Sequence, residues 1–106
     1  MYARRVSMKL KPNSTAEFTQ RLEKDVIPML RKQGGFRDEI TFVAPGGTDA
    51  FGLSLWDSKQ NADSYDRGRY AEVTKILSKV VEGTPRVETY EVANSTFHKI
   101  AAAPTA

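Results

Sequence analysis

Asn61 and Tyr65 stand four residues apart, the separation at which two side chains share one face of a helix. Tyr70 follows after the break Arg67-Gly68-Arg69, and Trp56 precedes the pair by one short cap. An amide, two phenols and an indole around one cavity could hold an aromatic ring and place hydrogen bonds on its oxygens, and Arg86 could add a cation. Each residue also has a plainer reading. Trp56 would then be core or interface packing, and Tyr65 and Tyr70 half-buried helix residues with wet hydroxyls. Asn61 would be a first-turn residue behind the Ser58 cap.

Other chemistries find little support. There is no cysteine, so disulfides, thiolate metal sites and cysteine nucleophiles are absent together. The single histidine, His98, lies near the C-terminus, away from any serine or carboxylate cluster that needs one. Asp57, Asp63 and Asp66 suit the start of a helix, where carboxylates complement the dipole. Gly46-Gly47 sits between two strands and not before a helix, so it is no phosphate loop. No metal and no cofactor is therefore expected.

The net charge of +3 is mild, and its densest stretch is Arg4, Arg5, Lys9 and Lys11. These lack the interleaved aromatics of a nucleic-acid surface and read as a strand rim, so no nucleic-acid partner is expected. The opening MYARRVSMKLK has no apolar core of signal-peptide length. No window approaches the roughly 18 apolar residues of a membrane span. A cytoplasmic protein without a membrane partner is the expectation.

The elements that must position these residues follow from periodicity. With 106 residues, 40% hydrophobic and 27% charged, the chain fits one domain over 1–94 and a C-terminal tail over 95–106. Tyr2, Val6, Met8 and Leu10 alternate with Ala3, Arg5, Ser7 and Lys9 as in a strand, and Arg4 interrupts the apolar side. Ser14 and Glu17 form a capping box ahead of a helical stripe through Phe18, Leu22, Val26, Met29 and Leu30. Pro28 should disturb that helix, and Gly34-Gly35 should end it.

Two strands, over 36–44 and 50–56, flank the turn cluster Pro45-Gly46-Gly47-Thr48-Asp49. On the first, Ile40 and Phe42 oppose Arg37, Glu39 and Thr41. On the second, Phe51, Leu53 and Leu55 oppose Gly52, Ser54 and Trp56. A second helix follows in two pieces, over about 59–67 and 69–82, and Gly83-Thr84-Pro85 ends it. A fourth strand spans 86–94.

The order βαββαβ gives an α+β, ferredoxin-like fold: a four-stranded antiparallel sheet with both helices on one face. The other face, expected to carry Gly52, Ser54 and Trp56, would be left bare. Packing it against a second copy would make a homodimer with a small lumen between the sheets.

The segments YARRVSMKLKPNSTAEF, VIPMLRKQGGF, FGLSLWDSKQNADSY and VETYEV resemble the antibiotic biosynthesis monooxygenase family. The most specific part is Leu55-Trp56-Asp57-Ser58 followed by Tyr65 and Tyr70. The resemblance implies a dimeric α/β barrel with a pocket between sheet and helices, and a small apolar or aromatic ligand. Some members of that family oxidise polycyclic phenols with molecular oxygen and no cofactor. Others break down haem, and others act on quorum-signal or small aldehyde-like compounds. The haem branch needs an Asn on the first strand, and a Trp with a downstream His on the second helix. This chain has Ser7, Tyr65 and no such His.

The oxygenase branch uses Asn, aromatic, Tyr and Arg side chains. Carried over, these are Asn61, Tyr65 and Arg86 as catalytic residues, with Trp56 and Tyr70 binding substrate. The resulting expectation is a cofactor-independent monooxygenase acting on a small aromatic or phenolic ring. The alternative is a non-catalytic dimeric small-ligand-binding or stress-response protein of the same fold.

Overall fold

The computed structural model describes residues 1–100, and residues 101–106 of the expected tail lie outside the described residues. Strands β1 (Tyr2–Leu10), β2 (Phe36–Val43), β3 (Asp49–Trp56) and β4 (Val81–Glu91) form one antiparallel sheet in the order β2-β3-β1-β4. Between β1 and β2 run α1 (Thr15–Arg21), a π-helical turn (Leu22–Val26) and α2 (Ile27–Leu30). Between β3 and β4 run α3 (Lys59–Gly68) and α4 (Tyr70–Leu77). This is the ferredoxin-like βαββαβ arrangement, and the sheet is open at both edges.

The π turn marks where the long apolar stripe meets Pro28. The Ile27 N–H bonds five residues back to the Leu22 carbonyl, and Pro28, which has no N–H, falls within the first two positions of α2. Phe18, Leu22, Val26 and Leu30 stay buried on one side throughout. The capping box does not form. Ser14 sits at φ −107°, ψ 2°, outside the extended conformation of a capping residue, and its hydroxyl donates to the Pro12 carbonyl at 3.4 Å. Glu17 instead accepts from Arg21 Nε at 2.8 Å.

The fourth strand begins at Val81, five residues earlier than expected, and α4 stops at Leu77. Gly83-Thr84-Pro85 is a bulge in an edge strand and not a helix terminator. Gly83 takes φ +66°, the register against β1 slips between Ser7 and Lys9, and Pro85 is tolerated because β4 has only one neighbour.

The expected assignment of sheet faces is reversed on β3. Register aligns Tyr2 with Trp56, Arg4 with Ser54, Val6 with Gly52 and Met8 with Ala50. Ala50, Ser54 and Trp56 are buried, so this is the face beneath the helices. The bare face carries Phe51, Leu53 and Leu55, with Ile40 and Phe42 beside them on β2 and Tyr90 on β4. Alternation shows that a strand has two unlike faces, but it does not say which one the helices cover. Here the polar-looking face lies inside because it lines a cavity.

Candidate functional site

Between the helices and the sheet lies a half-open cavity of about 520 Å³. Its wall is apolar where the first helical layer contributes Phe18, Leu22, Val26 and Leu30, and where α4 contributes Val73 and Leu77. Polar groups enter from the sheet: Arg4 on β1, Ser54 on β3, and Glu39 and Thr41 on β2. Tyr65 and Tyr70 close the side between α3 and α4.

Arg4 organises one end. It is only 2% exposed, and its Nη2 meets Asp66 Oδ1 at 2.6 Å. The guanidinium also lies 4.5 Å from the Tyr70 ring centre and 5.1 Å from that of Tyr65, within cation–π range. Burial pushes the Tyr65 phenol up to about 12, the nearby Arg4 charge acting in the opposite direction. Burial raises Tyr70 as well. Both phenols are therefore hydrogen-bond donors at neutral pH and not bases.

Of the residues expected at the site, Tyr65 and Tyr70 line the cavity and three others do not. Trp56 is wholly buried behind it, stacked on Tyr65 at 5.0 Å and edge-on to Phe36 at 5.5 Å. Its Nε1 donates to Ser54 Oγ at 2.9 Å, which satisfies the indole and fixes the Ser54 side chain. Trp56 is thus a core residue that positions a cavity residue, not a plate for a ligand. Asn61 belongs to the helix cap. Its backbone N–H donates to Ser58 Oγ at 3.2 Å, the Ser58 hydroxyl donates to Asn61 Oδ1 at 2.7 Å, and its side chain packs on Gly35. Arg86 pairs with Ser7 in register, which puts it on the bare face, where it is 77% exposed near Glu88. Its place on the wrong strand parity removes it from the cavity.

Sequence reasoning missed Arg4, Glu39, Thr41 and Ser54. The signal was present as polar residues on strand positions that share a face with apolar ones. Arg4 was the plainest instance, since a charge amid Tyr2, Val6 and Met8 needs a buried partner if that face is covered. The basic stretch does not form one surface either. Arg4 is inside, Arg5 lies 4.5 Å over Phe51 on the bare face, and Lys9 pairs with Asp49 at 3.0 Å.

His98 pairs with Asp38, which shares the bare face with Leu55. It therefore lies on the opposite side of the sheet from the cavity and does not fit as an axial ligand for haem there. Among the described residues no three His, Cys, Asp or Glu side chains converge as a metal site would require, and no helix is long and apolar enough to cross a membrane.

The architecture is the ferredoxin-like fold seen in solved antibiotic biosynthesis monooxygenases. The chain resembles a monooxygenase from Streptomyces coelicolor solved with nanaomycin D, with TM-score 0.72, 19% identity, and 98% of this chain and 92% of that one covered. It resembles a candidate antibiotic biosynthesis monooxygenase from Bordetella bronchiseptica, with TM-score 0.73, 14% identity, and 86% and 95% coverage. A variant of MhuD holding two manganese protoporphyrin IX molecules per active site matches with TM-score 0.73, 13% identity, and 91% and 98% coverage. No protein-family model and no curated protein matches the sequence.

Proposed function

We propose that this chain is a homodimeric, cofactor-independent monooxygenase for a small phenolic ring. The cavity carries the reading: a largely apolar space of ring-binding size, broken at one end by a buried arginine flanked by two tyrosines. A phenol ionised there would set its oxygen against Arg4, while Tyr65 and Tyr70 donate hydrogen bonds to the developing anion. The carbanion form of such a ring can pass an electron to triplet oxygen. The net change converts a ring CH₂ and O₂ into a ring C=O and water. Oxygen is the oxidant, and the protein supplies binding, orientation and charge.

The second reading is a dimeric binding protein without turnover. The Arg4–Asp66 pair favours it, because the guanidinium is neutralised before any ligand enters. Calorimetry with 2-naphthol, together with an oxygen electrode and a hydroxyanthrone, separates the two. Arg4→Met should weaken naphthol binding by about 1.5–3 kcal/mol, and Tyr65→Phe by about 1–2 kcal/mol, since each removes a positioned donor. Oxygen uptake that falls with affinity in both variants supports the oxygenase. Tight binding without uptake in the wild type leaves the binding protein.

The haem-degrading branch makes a different forecast. Haemin titration should give no Soret shift that depends on His98, because that imidazole faces away from the cavity. A one-to-one complex lost on His98→Ala would overturn the assignment of the pocket.

A further inference from the structure

The floor of the cavity carries a row of polar side chains that crosses three strands. By register Arg4 on β1, Ser54 on β3 and Glu39 on β2 stand side by side, with Val6, Gly52 and Thr41 forming the next row. Adjacent strands lie about 4.8 Å apart, so the backbones at Arg4 and Glu39 are roughly 10 Å from each other. Both side chains line the same cavity.

The two ends differ in charge. Arg4 is offset by Asp66. Among the described residues Glu39 meets no cation, and its polar partner is the Thr41 hydroxyl, which donates to Oε1. Gly52 lies alongside: a Cβ there would stand 3.4 Å from Glu39 Oε1 and 3.7 Å from Thr41 Oγ1. The missing side chain leaves the carboxylate open to the cavity across β3. A half-buried carboxylate with one neutral donor still has acceptor capacity, and leaving it unfilled is unfavourable. Burial accordingly raises Glu39 above the ordinary carboxylate value, although the Thr41 hydrogen bond opposes this.

We propose that Glu39 is the hydrogen-bond acceptor of the pocket, taking an O–H or N–H from an elongated ring ligand whose other polar end lies toward Arg4. The site thereby selects ring systems with a donor on the β2 side and rejects those that bring negative charge there. This rests on reading the cavity as a ring-binding site. In the oxidation proposed above, the same contact orients the ring from the β2 side, while the oxygen that ionises stays against Arg4.

The test compares naphthalene-2,6-diol with naphthalene-2,6-disulfonate by calorimetry on the wild-type protein and on Glu39→Gln, an isosteric change whose folding is checked by its melting temperature. Each probe has one polar end for Arg4 and a second that must meet Glu39. The wild type should prefer the diol by about tenfold or more, the size of one charge-assisted hydrogen bond. In Glu39→Gln the ratio should shrink several-fold. As pH is lowered, Glu39 takes up its proton above the ordinary carboxylate range, so disulfonate affinity should rise in the wild type and stay flat in Glu39→Gln. That comparison separates Glu39 from the other charged or ionisable groups around the cavity: Arg4 with Asp66, Tyr65 and Tyr70, and Lys75. Diol binding with an unchanged ratio in Glu39→Gln would overturn the proposal and leave the ring-binding reading standing. No diol binding to the wild type would remove both.

Discussion

Replacing Gly35 by alanine should lower the stability of the fold by about 2–4 kcal/mol, combining left-handed backbone strain with overpacking. Gly35 takes φ +76°, which a side chain disfavours. A Cβ there would also fall 2.2 Å from Asn61 Cγ and 2.4 Å from Oδ1, a separation no packed pair tolerates. Asn61 cannot retreat cheaply, because its carbonyl oxygen accepts from the Ser58 hydroxyl that caps α3. The same loop carbonyl, that of Gly35, accepts the Asp57 N–H at 2.8 Å and ties the first helical layer to the end of β3. In a chain of this size the melting temperature should drop by about 8 °C or more. Asn61→Gly in the same background should recover part of the loss, since it removes the clash but not the strain. A change below about 0.5 kcal/mol, the range of an ordinary surface substitution, would show that the loop simply shifts.

Phe42→Asp should convert a dimer into a monomer. The bare face presents Ile40 and Phe42 at 40% and 43% exposure and Tyr90 at 47%, with Phe42 stacked on Phe51 at 4.7 Å. That many large apolar groups on one sheet face suit a partner surface of the same kind, and a two-fold pairing would set each patch against its copy. Sedimentation of the wild type at micromolar concentration should give twice 11.8 kDa. A carboxylate within the patch should weaken association by about 100-fold, as loss of an aromatic anchor does. The monomer should remain folded, because residue 42 is exposed in the single chain. A wild-type protein that sediments at 11.8 kDa would sink the dimer.

Element order and type were legible in the chain because each rests on a local rule. The stripe Phe18–Leu22–Val26–Leu30 has helical spacing, Ser58 caps α3 as a serine should, and the turn around Gly46-Gly47 joins two alternating strands. Pro28 did announce an irregularity, which takes the form of a π turn. The site was less legible because it depends on strand parity and register, which are long-range properties. Ile40, Phe42, Phe51 and Leu53 look like core residues by composition, yet they lie on the bare face. Glu39, Thr41 and Ser54 look like surface residues, yet they line the cavity. Arg86 lies outside the cavity for the same reason, and Asn61 sits in a cap that has the same local sequence as a ligand-facing amide.

The π turn at Leu22–Val26 gives the cavity a roof that can change apart from its floor. Every charged or hydroxylated group on the floor comes from the sheet, whereas Leu22 and Val26 belong to a helical segment one residue wider than a regular turn. Removing one residue there would restore a regular turn and rotate the roof without touching Arg4, Ser54 or Glu39. The size of the cavity can therefore be redesigned at the bench while the polar groups of its floor stay where they are.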